Sequence, residues 1–136
     1  ALEVAPDDHF GRVKDDLHGL AARRCVSSGV GLTWCRIFYV YGPGQRPESL
    51  LPNIIDRLAA GSAPLIRNPD AAHDFVEVRD VADAFVRAVS SDGLHDGVDL
   101  GSGQLTRVSD VVATALAVIE GRPVPSIVTE PSTLGL

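Results

Sequence analysis

Lys14 follows Phe10 by one helical turn in the stretch HFGRVK, on a stripe that continues through Val13, Leu17, Leu20 and Ala21. A helix there sets an ammonium beside an aromatic ring. A cation so placed can stabilise a neighbouring phenolate, but a phenyl ring has no proton to exchange. The plain alternative is a lysine whose aliphatic stem covers the core edge while its ammonium reaches water. His9 adjoins the pair, yet its ring points roughly 100° away around the helix. Other chemistry-bearing groups stand in three later phrases: Arg36 in RIFYVYGPGQ, His73 and Asp80 in HDFVEVRDVADAF, and Asp99 in VDLGSG.

These groups need elements to position them. Asp7 and Asp8 offer capping carboxylates for a first helix, which SSG at 27–29 ends. The run over 30–41 is rich in β-branched and aromatic residues and reads as one strand buried on both faces. After the turn-rich GPGQRP, Ser49 can cap a second helix, with Pro52 in its first turn, Leu51, Ile54, Ile55 and Leu58 on one side, and Gly61 as its stop. A short strand is expected at 64–66, a polar loop after it and an extended piece at 75–78. Asp80 then caps a helix over 79–91 whose Val81, Ala84, Phe85 and Ala88 share a face. A turn at 91–97, a short strand in VDLGSG, a fourth helix capped by Ser109 and ending at Gly121, and a last strand at 124–130 complete the order. Helices alternating with strands mean an α/β fold. A chain that opens on a helix carrying an isolated lysine reads as part of something larger.

In this order and spacing the segments resemble the later half of the extended short-chain dehydrogenase/reductase family, the NAD-dependent nucleotide-sugar epimerases and dehydratases, whose patterns are a YxxxK helix, RxxNVYGPGQ, RDFxxVxDVA and NxGSG. The resemblance runs from about residue 9 to about residue 129. It implies the last part of a Rossmann-like parallel sheet with a small α/β substrate-binding lobe, as one partial domain over 1–136. Residues 1–48 would belong to the dinucleotide-binding fold and 49–136 mainly to the substrate lobe, with the helix at 79–91 packing back on the sheet.

The same resemblance implies roles. Lys14 matches the lysine that binds the nicotinamide ribose and activates the catalytic tyrosine, and Phe10 stands where that tyrosine should be. Loss of such a general base typically costs about 10²–10⁴ in rate. Phe38 and Tyr39 fall beside the cofactor, and Tyr39 replaces an asparagine near the sugar and diphosphate. Ser49, Leu50, Ile66, His73 and Asp80 fall on the nucleotide-sugar. Ile66 keeps contact with a base but loses aromatic stacking. His73 replaces an arginine that contacts the diphosphate, a weaker and pH-dependent cation in its stead. Asp99 replaces the asparagine of NxGSG. Arg36, Tyr41, Gly42, Pro43 and Asp80 match the family, although Asp80 serves equally as a helix cap. Arg46, Arg67 and Arg79 are near enough in sequence to supply lost positive charge, or are simply solvated.

Composition narrows the rest. The net charge of -6, with twelve scattered Lys and Arg, opposes a general nucleic-acid binder. Cys25 and Cys35 have no metal-ligand spacing and fall in apolar segments, as reduced core residues of a cytoplasmic protein do. No run suggests a membrane span or an export signal. No GxxGxxG follows a strand, so the glycine turn that seats a dinucleotide pyrophosphate is missing. The expectation is a chain whose intact relatives use NAD or NADP, which by itself holds no cofactor and turns nothing over. The alternative is a nucleotide-sugar binding or regulatory module that pairs with a full-length relative. Either way, exposed flanks of the sheet and of the first helix predict self-association or a partner in the form of the missing N-terminal half.

Overall fold

The computed structural model describes residues 9–90, 97–121, 123 and 130–131. The carboxylates of Asp7 and Asp8, most of the turn expected at 91–97 and most of the strand expected at 124–130 lie outside them.

Helix α1 runs from His9–Ser28. It stops where Gly29 takes φ +66°. The Gly29 N–H then reaches the Val26 carbonyl at 3.2 Å and the Val30 N–H that of Cys25 at 3.0 Å, the paired bonds of a Schellman ending. None of its residues is buried, and Phe10, Val13, Leu17 and Leu20 are all at least half exposed.

The apolar run at 30–41 does not form the single doubly buried strand expected. It makes β1 (Cys35–Ile37) and β2 (Tyr39–Tyr41), broken at Phe38. The break is a change of partner. The Phe38 N–H bonds the Leu100 carbonyl at 3.2 Å, while the next N–H, that of Tyr39, bonds the Asp74 carbonyl at 2.9 Å. Ile37 and Tyr39 remain 45% and 39% exposed, so one face of this segment is open.

Helix α2 (Leu50–Ala59) starts at Ser49, whose backbone is extended as an N-cap requires but whose side chain makes no capping bond. Gly61 ends it with a second Schellman pair, Gly61 to Leu58 at 3.0 Å and Ser62 to Arg57 at 2.8 Å. Ile54 is fully buried and Ile55 faces outward. The segment 64–66 forms no strand; extended structure begins later, at β3 (Ala72–His73) and β4 (Phe75–Glu77).

Helix α3 (Val78–Ser90) is not capped by Asp80. Glu77 does this, its carboxylate accepting the Arg79 N–H at 2.7 Å, and Asp80 sits exposed in the first turn, where a negative charge still complements the helix dipole. The sheet continues with β5 (Val98–Leu100) and an unforeseen strand, β6 (Gln104–Arg107), before α4 (Val108–Ile119) and β7 (Glu130–Pro131). Ser109 does not cap α4. The first N–H groups of that helix instead bond to the loop before β3, Val108 to the Ala71 carbonyl at 2.9 Å and Ser109 to that of Pro69 at 2.9 Å.

Parallel pairing joins β1 to β5, with Arg36 opposite Asp99, and β2 to β4, with Tyr39 opposite Phe75. Such pairing with helical crossovers is the α/β arrangement expected. Helix α3 packs on β2, β4 and β5, and Val76, Val81 and Leu100 form the core there, flanked by Cys35, Val40, Ala84 and Val98. Beside it, β3, β6 and β7 form an antiparallel sheet, and α2 packs with α4, whose Val108 and Ala117 are buried. Both cysteines are free thiols. Among the described residues no helix is long and apolar enough to cross a membrane.

Candidate functional site

Alternation along a strand decides what HDF does. His73 and Phe75 turn their rings to one side with Tyr39, and Asp74 between them turns away. The His73 and Tyr39 rings stack at 4.6 Å with an interplanar angle of 27°, and Phe75 meets Tyr39 edge-on at 5.0 Å and His73 at 5.9 Å. Each aromatic pair adds about 0.5–1.5 kcal/mol beyond its buried area. The rings thus form a rigid wall.

That wall bounds a cleft of about 380 Å³ lined by Tyr39 and His73, by Glu48, Leu50 and Asn53 at the start of α2, by the loop residues from Leu65 to Asn68, and by Ala71 and Val108. Leu50 and Asn53 share a helix face three residues apart, so the first turn of α2 and the positive end of its dipole adjoin the cleft. The Asn53 Oδ1 is buried and has no hydrogen-bond partner. A buried acceptor left unpaired costs about 1–3 kcal/mol, a deficit that a bound N–H or O–H would remove.

Asp74, 5% exposed, faces the other side and ties the junction of β3 and β4 to the loop after β5. Its carboxylate accepts the Ser102 N–H at 2.7 Å, the Ser102 hydroxyl at 2.6 Å and the Gly103 N–H at 3.0 Å. A Cβ on Gly101 would lie 2.5 Å from Asp74 Oδ2 and 2.8 Å from Phe38 Cδ2. GSG is therefore a cradle for a carboxylate, and only glycine fits its first position.

Of the residues singled out from sequence, Tyr39, Leu50, Ile66, Arg67 and His73 line this one cleft; Ser49, Asp80, Phe38, Phe10, Lys14, Arg46 and Arg79 do not. Ser49 is a backbone N-cap, and Phe38 packs against Gly101 at the strand break. The Lys14 ammonium lies 4.3 Å from the centre of the Phe10 ring, a cation–π contact at an exposed site worth about 0.5–1 kcal/mol. Arg36 Nε donates to Asp99 across the parallel pair. That bond holds the guanidinium above its ordinary pKa and keeps it charged. Sequence reasoning overlooked Glu48, Asn53 and Asn68. Asn53 carried a signal, being a lone polar residue inside the apolar run LLPNII. Of the three residues expected beside a cofactor, Lys14, Phe38 and Tyr39, only Tyr39 lines this cleft, so the three do not form one dinucleotide site around it. Among the described residues no cluster of His, Cys, Asp or Glu could hold a metal ion.

Comparison with known proteins gives a consistent picture. Residues 2–99 match the NAD dependent epimerase/dehydratase family. A dTDP-L-rhamnose 4-epimerase of Burkholderia thailandensis is 30% identical over 131 residues, covering 92% of this chain and 36% of that protein. A UDP-N-acetylglucosamine 4-epimerase of Methanobrevibacter ruminantium, solved with UDP-N-acetylmuramic acid, superposes with a TM-score of 0.77 at 19% identity, over 90% of this chain and 40% of its own. An NAD-dependent NDP-hexosamine 5,6-dehydratase, TunA, involved in tunicamycin biosynthesis, gives 0.55 at 33% identity, over 71% and 33%. The chain thus spans little more than a third of the length of these relatives.

Proposed function

Because the chain belongs to the NAD-dependent epimerase/dehydratase family, we propose that it binds the nucleotide part of a nucleotide-sugar in the cleft beside Tyr39 and His73 and does not turn it over alone. The observation that carries the reading is convergence: Tyr39, Leu50, Ile66 and His73, separate in sequence, line one cleft. Leu50 and Ile66 offer apolar contact to a base, and the Tyr39–His73 pair borders the sugar and diphosphate. The curated relative is named for a dTDP-sugar and the Methanobrevibacter enzyme for a UDP-sugar, so a pyrimidine nucleoside diphosphate sugar is the ligand class proposed. The proposed inactivity rests on Phe10, which has no phenolic proton for Lys14 to activate. The isolated chain is also proposed to hold no NAD, and its free cysteines favour the cytoplasm.

Thermal unfolding with dTDP-, UDP- and GDP-sugars tests this. Binding at a hundredfold excess over Kd adds about 2.7 kcal/mol to stability, and a shift with pyrimidine sugars is expected. No shift with any of them contradicts binding, and NAD-dependent turnover by the chain alone contradicts inactivity.

The exposed apolar stripe of α1 favours a second, compatible reading, in which this helix pairs with another copy or with a larger relative that completes the enzyme. Sedimentation of a compact monomer at high concentration would argue against pairing with another copy.

A further inference from the structure

We infer that Arg67 is the anion-recognising group of the cleft, a role that rests on the nucleotide-sugar reading and deepens it. A diphosphate needs a cation, and the sequence offers several that the structure removes from consideration. Arg36 is engaged by Asp99, the Lys14 ammonium lies over Phe10, and Arg46 and Arg79 do not line the cleft. His73 does line it, but its ring is stacked on Tyr39. Among the described residues Arg67 is the one guanidinium lining the cleft, and no hydrogen bond or ion pair engages it.

A guanidinium presents two parallel N–H donors to a phosphate, a geometry that an ammonium or an imidazolium lacks. Here it also offsets Glu48, the carboxylate that lines the same cleft and would otherwise repel a phosphate. A second feature points to the rest of the ligand. Asn53 Oδ1 is buried without a partner and calls for a donor, which a base N–H or a ribose hydroxyl provides. Anion and donor in one molecule describe a nucleoside diphosphate.

Calorimetric titration of uridine, UDP and inorganic pyrophosphate into the full chain and its Arg67→Ala, Arg67→Lys and Arg46→Ala variants tests this. The native chain should bind UDP more tightly than uridine. Arg67→Ala should weaken UDP by about 10- to 100-fold, the loss expected of a charge-assisted hydrogen bond, and leave uridine unchanged. Arg67→Lys should recover part of the loss, since it restores charge without the fork. Arg46→Ala, outside the cleft, should match the native chain. Native-like UDP binding by Arg67→Ala, or an equal loss in Arg46→Ala, overturns the role of Arg67 while leaving the nucleotide reading intact. Pyrophosphate binding that depends on Arg67, without any gain from the nucleoside, upholds the anion role and contradicts the nucleotide reading. No binding of any of the three overturns both.

Discussion

Replacing Asp74 by alanine removes the acceptor of three hydrogen bonds, and the structure allows the cost to be worked through. The Ser102 hydroxyl has an alternative, the Gln104 carbonyl at 3.3 Å, so its loss is small. The Ser102 and Gly103 N–H groups, at 2.7 Å and 3.0 Å from the carboxylate, have no such recourse. An orphaned donor costs about 1–3 kcal/mol, and because Ser102 and Gly103 are exposed water relieves both toward the lower end. The expected destabilisation of Asp74→Ala is about 2–4 kcal/mol. Asp74→Asn keeps one acceptor oxygen but turns an NH₂ on one of the two backbone donors, and should cost about half as much. Urea unfolding at constant m-value measures both. A loss under about 0.5 kcal/mol for Asp74→Ala, or equal losses for the two variants, would refute the claim that the carboxylate organises GSG.

Three further outcomes follow from the same packing. Gly101→Ala forces a Cβ against Asp74 and Phe38, and should lose about 1–3 kcal/mol, as overpacking does. Ile54→Ala at the fully buried position of α2 should lose about 2–5 kcal/mol in the same measurement. The Arg36–Asp99 pair has side chains 38% and 29% exposed, so a double-mutant cycle should return a coupling of no more than about 1 kcal/mol. That coupling should shrink in 1 M salt, where the screening length falls to about 3 Å.

The α/β class and the family were legible because they rest on residue types at fixed spacing. The helix stops were legible for a related reason: Gly29 and Gly61 adopt the left-handed backbone that closes a Schellman pair. The break at Phe38 was not legible. Apolar runs report burial but not partners, and the change of register there depends on carbonyls of Leu100 and Asp74, far off in sequence. Caps failed for a related reason. Sequence offered Asp80 and Ser109, but α3 begins at Val78 with Glu77 in reach, and α4 finds its acceptors in the loop carbonyls of Pro69 and Ala71. β6 was hidden because QLTR has only one strongly apolar residue and gains its place by pairing with β3. In the cleft, Tyr39, Leu50, Ile66 and His73 were found through motifs. Glu48 and Asn68 carry no local pattern that separates them from surface residues, and only the fold brings them together.

The cleft walled by the Tyr39–His73 stack is proposed to hold a pyrimidine nucleotide. Titration of UDP and dTDP into the full chain and into a Tyr39→Ala variant tests this proposal most directly. Saturable one-to-one binding by the native chain is expected, weakened by about tenfold or more when the ring is removed, the effect of about 1.4 kcal/mol lost. Absence of binding to the native chain, or binding unchanged by Tyr39→Ala, would contradict it.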